Sequence, residues 1–338
     1  MLIVMHHHAT KEQVDQVIAA VKTMGLTAEP IPGSLRTAIG VLGNQGYVDD
    51  STIRTLPGVR ETIHVSKPYK MASRDFHPKA SVIDVSGVKF GDGQRPVIIA
   101  GPCSIETEEQ MMVAAKEVKA GGARMLRGGA YKPRTGPHSF QGLGLEGLKY
   151  LQQAGRAYDL PVVTEVMRIE QLDTVCQYAD MLQIGARNMQ NFDLLKEVGK
   201  TRHPVLLKRG MSATIEEFLA AAEYILAEGN KNVVLCERGI RTFEKATRNT
   251  LDLSVVPLIR EMSHLPIIVD PSHATGKRML VPVMTKAALV AGAHGVMMEV
   301  HPNPALALCD GAQSLSGEYF SELMEEIDQL LDFLGYRD

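Results

Sequence analysis

The stretch PVIIAGPCSIETEEQMMVAAKEVKAGGARMLR (residues 96–127) decides the fold of this chain. It opens with an apolar run, Val97–Ala100, typical of a strand that is buried on both faces. A helical pattern follows over Glu106–Ala120, and a second apolar run follows at Ala123–Leu126. Strand, helix and strand in this order predict a βαβ unit with parallel strands.

The same alternation continues to the end of the chain. Further strands are predicted at Pro161–Thr164, Met181–Ile184, Val205–Leu207, Val233–Leu235, Ile267–Val269 and Gly295–Met298. Helical patterns occupy Leu143–Tyr158, Ile169–Tyr178, Asn191–Val198, Thr214–Glu228, Leu253–Glu261, Met279–Ala291 and Glu318–Leu334. Eight strands that each precede a helix predict a (β/α)8 TIM barrel over residues 96–338. A doubly wound open sheet is the alternative, and the absence of a glycine fingerprint in GPCS after the first strand disfavours it.

Two segments precede the predicted barrel. Residues 1–66 follow the order βαββαβ, which predicts a small ferredoxin-like α+β domain. Its elements are the strand LIVM (2–5), a helix at Lys11–Met24, strands at Leu26–Ile31 and Arg36–Leu42, a helix at Asp49–Thr55 and a strand at Val59–Val65. Packing or oligomerisation and effector-binding regulation are equally open roles for it. Residues 67–95 form a connector with a β-hairpin at Val82–Val85 and Val88–Phe90, which we expect to plug one end of the barrel.

Composition excludes several classes of partner. The 338 residues are 45% hydrophobic and 22% charged, with a net charge of -3, so neither nucleic acid nor an anionic membrane is expected as a partner. No apolar run reaches the roughly 18 residues of a membrane span, and the N-terminus lacks a signal-peptide pattern. The four cysteines are widely spaced, which predicts a cytoplasmic protein with reduced thiols.

The segment LRGGAYKPRTGPHSFQG (residues 126–142) has no acidic residue and no apolar periodicity. It combines several cations with four glycines and two prolines. Such a segment predicts a long, shaped loop that holds a multiply charged anion.

Functional residues of a barrel lie where the strands end, at the C-terminal face. One group of residues there offers a sulfur, an imidazole and two carboxylates from three strands that adjoin when the barrel closes: Cys103, His273, Glu299 and Asp310. This mixed donor set predicts a site for a divalent transition metal. The plainer alternative is that Cys103 is only buried and that Asp310 is a helix-start residue.

A second group at the same face consists of four cations from four strands: Arg127, Arg187, Lys208 and Arg238. Converging like charges repel one another without a partner, so a phosphate or phospho-carboxylate is predicted between them. The alternative is that Glu165, Glu237 or Asp270 neutralises some of them, and we expect such pairing to be partial.

From about residue 67 to the C-terminus the sequence closely resembles the 3-deoxy-D-arabino-heptulosonate 7-phosphate (DAHP) synthase family. The motifs that carry the resemblance are AGPCS (100–104), LRGGAYKPRT (126–135), SFQGLG (139–144), QIGARN (183–188), LLKRG (206–210), CERGIRTFE (236–244), VDPSHATG (269–276) and EVHP with DG (299–302 and 310–311). The related octulosonate 8-phosphate synthases have KANRS where this chain has Lys132-Pro133-Arg134-Thr135, which favours the four-carbon sugar.

The resemblance implies a condensation of phosphoenolpyruvate with erythrose 4-phosphate, the entry step to chorismate. It implies one divalent ion per subunit, such as Mn, Fe, Co or Zn, bound by the four candidate ligands. It assigns phosphoenolpyruvate to Arg127, Lys132, Arg187, Lys208 and Arg238, and the sugar phosphate to Arg134 and Thr135. Residues 1–66 resemble the domain of the regulated subgroup, which implies a tyrosine or phenylalanine effector and a homo-tetramer.

Three catalytic side chains are predicted within this scheme. Lys132, where the two substrates meet, is the candidate acid for the alkoxide, and Glu165 with Lys208 is a weaker candidate pair for positioning or deprotonating the water. Because Cys309 precedes Asp310, we also expect oxidative inactivation of the metal-free protein, by a Cys103–Cys309 disulfide or by oxidation of Cys103. The competing functions are an octulosonate synthase, a reversible metal-dependent aldolase and a non-catalytic sensor of aromatic amino acids.

Overall fold

The structure is a computed structural model that describes residues 1–33, 36–44, 48–64, 69–132, 136 and 138–336. The chain divides into two compact units, Met1–Lys70 and Met71–Asp338. No helix in these described ranges is long and apolar enough to cross a membrane.

The first unit is a four-stranded antiparallel sheet with two helices. Its elements are β1 (Leu2–Met5), α1 (Lys11–Thr23), β2 (Thr27–Pro32), β3 (Thr37–Leu42), α2 (Ser51–Arg54) and β4 (Val59–Ile63). The strand order is β2-β3-β1-β4, with Ile3 opposite Ile39 of β3 and Thr62 of β4. Ile3 and Ile39 share a core with Val17 of α1 and Ile53 of α2. The predicted ferredoxin-like order is confirmed.

The second unit begins with a hairpin of β5 (Ile83–Val85) and β6 (Val88–Phe90). Alternate residues of both strands are buried in one apolar cluster with Val97 and Met181, which lie at the N-terminal ends of barrel strands. The hairpin therefore closes the end of the barrel opposite to the predicted site.

Eight parallel strands form the barrel, and each pairs with the next along the chain. They are β7 (Val97–Gly101), β8 (Met125–Arg127), β9 (Val162–Glu165), β10 (Met181–Ile184), β11 (Val205–Lys208), β12 (Val233–Glu237), β13 (Ile267–Val269) and β14 (Gly295–Glu299). The barrel closes because β14 pairs with β7, from Gly295 opposite Val97 to Glu299 opposite Gly101. The predicted TIM barrel is confirmed, and the open-sheet alternative is wrong.

The helices that follow the strands are α3 (Glu108–Ala120), α4 (Leu145–Ala157), α5 (Leu172–Tyr178), α6 (Phe192–Lys200), α7 (Ile215–Ala227), α8 (Val255–Met262), α9 (Pro271–Thr275), α10 (Val281–Val290) and α11 (Gly317–Phe333). Two predicted helices begin with a 3-10 turn, Ile169–Gln171 before α5 and Arg278–Leu280 before α10. The short α9 was not predicted, because five residues are too few for a periodic pattern. Its start is capped by the Asp270 side chain, which accepts a hydrogen bond from the His273 amide at 2.9 Å.

Candidate active site

A cavity of about 420 Å³ lies at the C-terminal ends of the barrel strands. Residues from both groups that the sequence singled out line it. The lining residues include Arg127, Lys132, Glu165, Arg187, Lys208, Arg238, His273 and Asp310, together with Gly136 and Ser139 of the segment 126–142. Candidate metal ligands and candidate anion-binding cations therefore share one pocket.

The four candidate metal ligands converge in the structure. One donor atom from each of Cys103, His273, Glu299 and Asp310 lies within 4.8 Å of all the others. The Cys103 Sγ is 3.2 Å from Asp310 Oδ2, and His273 Nε2 is 3.1 Å from Glu299 Oε1. Cys103 and Glu299 are fully buried, so the cluster lies inside the barrel mouth rather than on its rim.

Protonation in this cluster depends on burial and on close charges. Burial opposes ionisation of Glu299, but His273 and Arg127 lower its pKa below the ordinary value. Burial also lowers the pKa of His273, which favours the neutral imidazole that a metal requires. The Cys309 contact and burial raise the pKa of the Cys103 thiol, and the nearby Glu299 carboxylate adds to that effect.

Asp270 sets the orientation of the His273 ring. Its Oδ2 accepts a hydrogen bond from His273 Nδ1 at 2.7 Å and also contacts Lys208 Nζ. Because Nδ1 carries the proton, Nε2 faces Glu299 as a lone-pair donor. The Lys208 ammonium and the hydrogen bond from His273 outweigh burial and hold the pKa of Asp270 well below its usual range.

Two buried cations touch the candidate ligands directly. Arg127 Nη1 donates to Glu299 Oε1 at 2.9 Å. Lys132 Nζ donates to the carbonyl of Cys103 at 2.9 Å and lies 3.0 Å from its Sγ. Burial alone would lower both cation pKa values, but Glu299 raises that of Arg127 and Cys103 raises that of Lys132. Both side chains therefore stay charged.

Glu165 and Lys208, the weaker candidate pair for positioning or deprotonating the water, both line the cavity and have different hydrogen-bond partners. Glu165 Oε2 accepts a hydrogen bond from Gln183 Nε2 at 3.2 Å, whereas Lys208 binds Asp270. β11, which carries Lys208, is two strands from both β9 and β13, so strand order alone does not decide between Glu165 and Asp270 as its partner.

Neutralisation of the cations is partial, as the sequence suggested. Lys208 pairs with Asp270, while Glu237 binds Arg209 at 2.9 Å rather than a pocket cation. Arg238 donates to the carbonyl of His273 at 3.0 Å, and burial lowers its pKa. Arg187 is exposed on a 3-10 turn at the pocket wall.

The candidate sugar-phosphate residues, Arg134 and Thr135, lie outside the described residues, as does Pro133. Their assignment stays a prediction.

Sequence reasoning missed two side chains of the site. Gln313 Nε2 donates to Glu299 Oε2, and its Oε1 accepts from Arg248 Nη1 at 3.2 Å. Arg248 also lies 3.3 Å from Asp310 Oδ1. The only signal in the sequence was that Gln313 lies three residues after Asp310. Nothing in the sequence indicates that Arg248 contacts Gln313 and Asp310.

The chain resembles known proteins over its whole length. The sequence pattern of the DAHP synthetase I family matches residues 72–332, and that of the DAHP synthase ferredoxin-like domain matches residues 1–67. The chain is 51% identical to a phospho-2-dehydro-3-deoxyheptonate aldolase of Thermotoga maritima over 100% of this chain and 99% of that protein. It is also 31% identical to a 2-dehydro-3-deoxyphosphooctonate aldolase of Magnetococcus marinus, over 73% of this chain and 92% of that one.

Solved structures show the same likeness. The crystal structure of the Thermotoga maritima DAHP synthase superposes with a TM-score of 0.95 at 51% identity, covering 99% of this chain and 98% of that one. A truncated form of the Thermotoga maritima synthase covers 79% of this chain and 98% of its own, with a TM-score of 0.74 and 53% identity. The chain therefore belongs to the DAHP synthetase I family, and its activity is that of a DAHP synthase, the first step of the shikimate pathway.

Proposed function

We propose that the chain condenses phosphoenolpyruvate with erythrose 4-phosphate and water to give DAHP and inorganic phosphate, at the pocket described above. The observation that carries this proposal is the shared cavity, in which four metal-type donors lie beside buried cations. A metal centre alone serves many reactions. A metal centre next to an anion site suits the joining of a phosphorylated enol to an aldehyde.

The donor set fits a divalent transition ion. Cys103, His273, Glu299 and Asp310 would hold it, because sulfur, nitrogen and oxygen donors lie close enough together to share one ion. When bound, such an ion polarises an aldehyde oxygen as a Lewis acid. The choice among Mn, Fe, Co and Zn stays open, because this mixed set accepts each of them.

The pocket cations would bind phosphoenolpyruvate. Arg127, Arg187, Lys208 and Arg238 line one cavity, and together with Lys132 they match its phosphate and carboxylate. Arg134 and Thr135 would hold the phosphate of the sugar. Two anions fixed in this way bring C3 of phosphoenolpyruvate against C1 of the aldehyde.

Lys132 is the proposed acid. Its ammonium stays charged and lies against Cys103, so it stands beside the place where the aldehyde oxygen would be. As the C–C bond forms, that oxygen takes a proton from Lys132 Nζ. The oxygen of a water adds to C2. The C2–O bond to the phosphate then breaks as the added hydroxyl becomes the ketone carbonyl, and inorganic phosphate leaves with the hydroxyl proton. Glu165 with Lys208, which both line the cavity, would position the water and accept its proton.

Residues 1–66 are proposed to regulate the barrel, residues 67–95 to connect the two and residues 96–338 to be the catalytic barrel. Tyrosine or phenylalanine is the proposed inhibitor, and a homo-tetramer is the proposed assembly. The support is the match of residues 1–67 to the DAHP synthase ferredoxin-like domain. A cytoplasmic location stays a prediction.

Phosphate release is the deciding assay. Phosphoenolpyruvate with erythrose 4-phosphate should release one phosphate per DAHP formed. Turnover of arabinose 5-phosphate without erythrose 4-phosphate would instead indicate an octulosonate synthase. Product cleavage without phosphate release would indicate a reversible aldolase. The absence of any turnover would favour a non-catalytic sensor of aromatic amino acids.

Regulation needs a separate measurement. Tyrosine or phenylalanine should lower the initial rate of the full chain but not that of a variant that lacks residues 1–66. Light scattering of the full chain should give the mass of a tetramer. Equal rates for both proteins with either amino acid would refute the regulatory role alone.

A further inference from the structure

Asp310 differs from the other candidate metal ligands in how its backbone is held. Glu299 ends β14 and His273 lies in α9, whereas Asp310 belongs to the long loop between β14 and α11. This loop is closed at its base by a bridge between Val300 and Leu315. Contacts from elsewhere in the chain must therefore place Asp310.

The backbone of Asp310 is also strained. Its φ is +54°, a left-handed conformation that costs a non-glycine residue about 1 kcal/mol or more. Strain of this kind persists only where the surroundings hold the residue in place.

Arg278 holds the C-terminal side of this ligand. Its Nη2 donates to the carbonyl of Gly311 at 2.9 Å, and its Nε donates to that of Ser314 at 2.6 Å. These bonds leave the segment before Asp310 to be fixed by another group.

Glu106 supplies the hydrogen bond that holds the segment before Asp310. It lies between β7 and α3, three residues after Cys103, and its side chain is 9% exposed. Its Oε1 accepts a hydrogen bond from the amide of Leu308 at 2.8 Å and lies 3.3 Å from the Ser104 hydroxyl. One carboxylate thus connects the loop of Cys103 to the backbone two residues before Asp310.

We propose that Glu106 is a positioning residue for the metal site, which sets metal affinity by holding the Asp310 loop against the Cys103 loop. The proposal rests on the metal centre of the proposed function. Glu106 itself binds no metal. It acts through the Leu308 amide, so the property that matters is an acceptor oxygen at the reach of a glutamate.

Three substitutions distinguish the hydrogen bond between Glu106 and the Leu308 amide from a general effect of charge or packing. Glu106→Gln keeps an acceptor at the same reach and loses the charge. Glu106→Asp keeps the charge and withdraws the oxygens by one methylene. Glu106→Ala removes both. Glu109→Gln, an exposed acid in the first turn of the adjoining α3, is the matched control.

Cobalt is the probe. Chelated, metal-free protein is titrated with Co²⁺, and the near-ultraviolet band from the Cys103 thiolate to the metal reports binding. We expect E106A and E106D to weaken Co²⁺ binding roughly tenfold, as loss of groups that orient a metal ligand commonly does. E106Q and E109Q should stay within about threefold of the parent protein, and thermal unfolding of all four metal-free variants should be similar.

The outcomes are distinct. Parent-like Co²⁺ affinity in E106A overturns the proposal. Parent-like affinity in E106D together with weakened binding in E106Q also overturns it, because the charge of the side chain would then matter rather than its length. If E106A does not fold, the contrast between E106D and E106Q decides alone. Absence of the thiolate band in the parent protein would refute the metal centre itself.

Discussion

The Sγ atoms of Cys103 and Cys309 lie 3.3 Å apart, although 206 positions separate the two residues in the chain. Both thiols are buried. A disulfide has a sulfur–sulfur bond of about 2.05 Å, so a small movement of the Cys309 loop would bring them to bonding distance.

Oxidation of the metal-free enzyme should therefore inactivate it. With diamide as oxidant, the two thiols lose two protons and two electrons to the diazene and form the 103–309 bond. We expect free thiols to fall from four to two and dithiothreitol to restore activity upon metal addition. Thiol titration and peptide mass spectrometry measure this.

The controls for oxidation are cysteine variants. Cys309→Ser should block the disulfide, whereas Cys176→Ser, a half-buried residue of α5, should not. A sulfenic acid on Cys103 would give three free thiols. Lost activity with all four thiols intact would exclude both routes.

Removal of the metal should abolish turnover. EDTA treatment followed by gel filtration is expected to reduce kcat to background, and Mn²⁺ or another divalent ion should restore it. Cys103→Ser should lose most bound metal, because a serine hydroxyl is a poor substitute for thiolate as a ligand. Metal content by mass spectrometry is the measurement, with Cys176→Ser as the control. Full activity of the chelated enzyme would contradict the metal role.

Arg134→Ala should selectively weaken the binding of erythrose 4-phosphate. Loss of charge-assisted hydrogen bonds to a phosphate is worth roughly 1.5–3 kcal/mol, so KM for erythrose 4-phosphate should rise about ten- to a hundredfold. KM for phosphoenolpyruvate in the same assays is the internal control and should stay unchanged. An unchanged KM for the sugar would remove Arg134 from that pocket.

Gly101→Ala should destabilise the barrel. Gly101 has a φ of +146°, and a Cβ there would lie 2.2 Å from the carbonyl oxygen of Arg127. Strain and overpacking together should cost roughly 3 kcal/mol or more of unfolding free energy. Gly229→Ala is the matched control, because Gly229 also has a positive φ but has no atom within 4 Å of that position. Urea unfolding should show a much larger loss for G101A, and equal losses would contradict the steric argument.

Stability should rise with pH through the titration of His264. Its ring lies between the Ser81 hydroxyl and the carbonyl of Met71, each at 2.8 Å, and burial lowers its pKa below the ordinary value of 6.5. Below pH 6.5 the His264 side chain takes up a proton more readily in the unfolded chain than in the folded one. Its contribution to the unfolding free energy is therefore fully present above about pH 6.5 and declines as the pH falls towards the pKa of the folded state.

Urea unfolding between pH 5 and pH 8 tests this, with His264→Gln as the comparison. The variant should show a shallower pH dependence than the parent protein. Burial lowers the pKa of His294 too, so some dependence should remain. Identical slopes for both proteins would show that His264 does not contribute.

The sequence by itself determined the barrel and its candidate metal ligands. Apolar runs followed by helical patterns indicate parallel strands, and the C-terminal ends of parallel strands share one face. Cys103, His273 and Glu299 could therefore be placed together from strand order alone, and the pairing of β14 with β7 explains why they meet.

Only the tertiary structure decided how these residues are held. The pairing of Lys208 with Asp270, the tie from Glu106 to Leu308 and the bond from Gln313 to Glu299 all depend on side-chain reach in a closed barrel. No periodicity encodes such contacts, because they join residues that are distant in the chain or lie in loops without a repeat. The left-handed backbone of Asp310 belongs to the same class, since long-range contacts rather than local preference stabilise it.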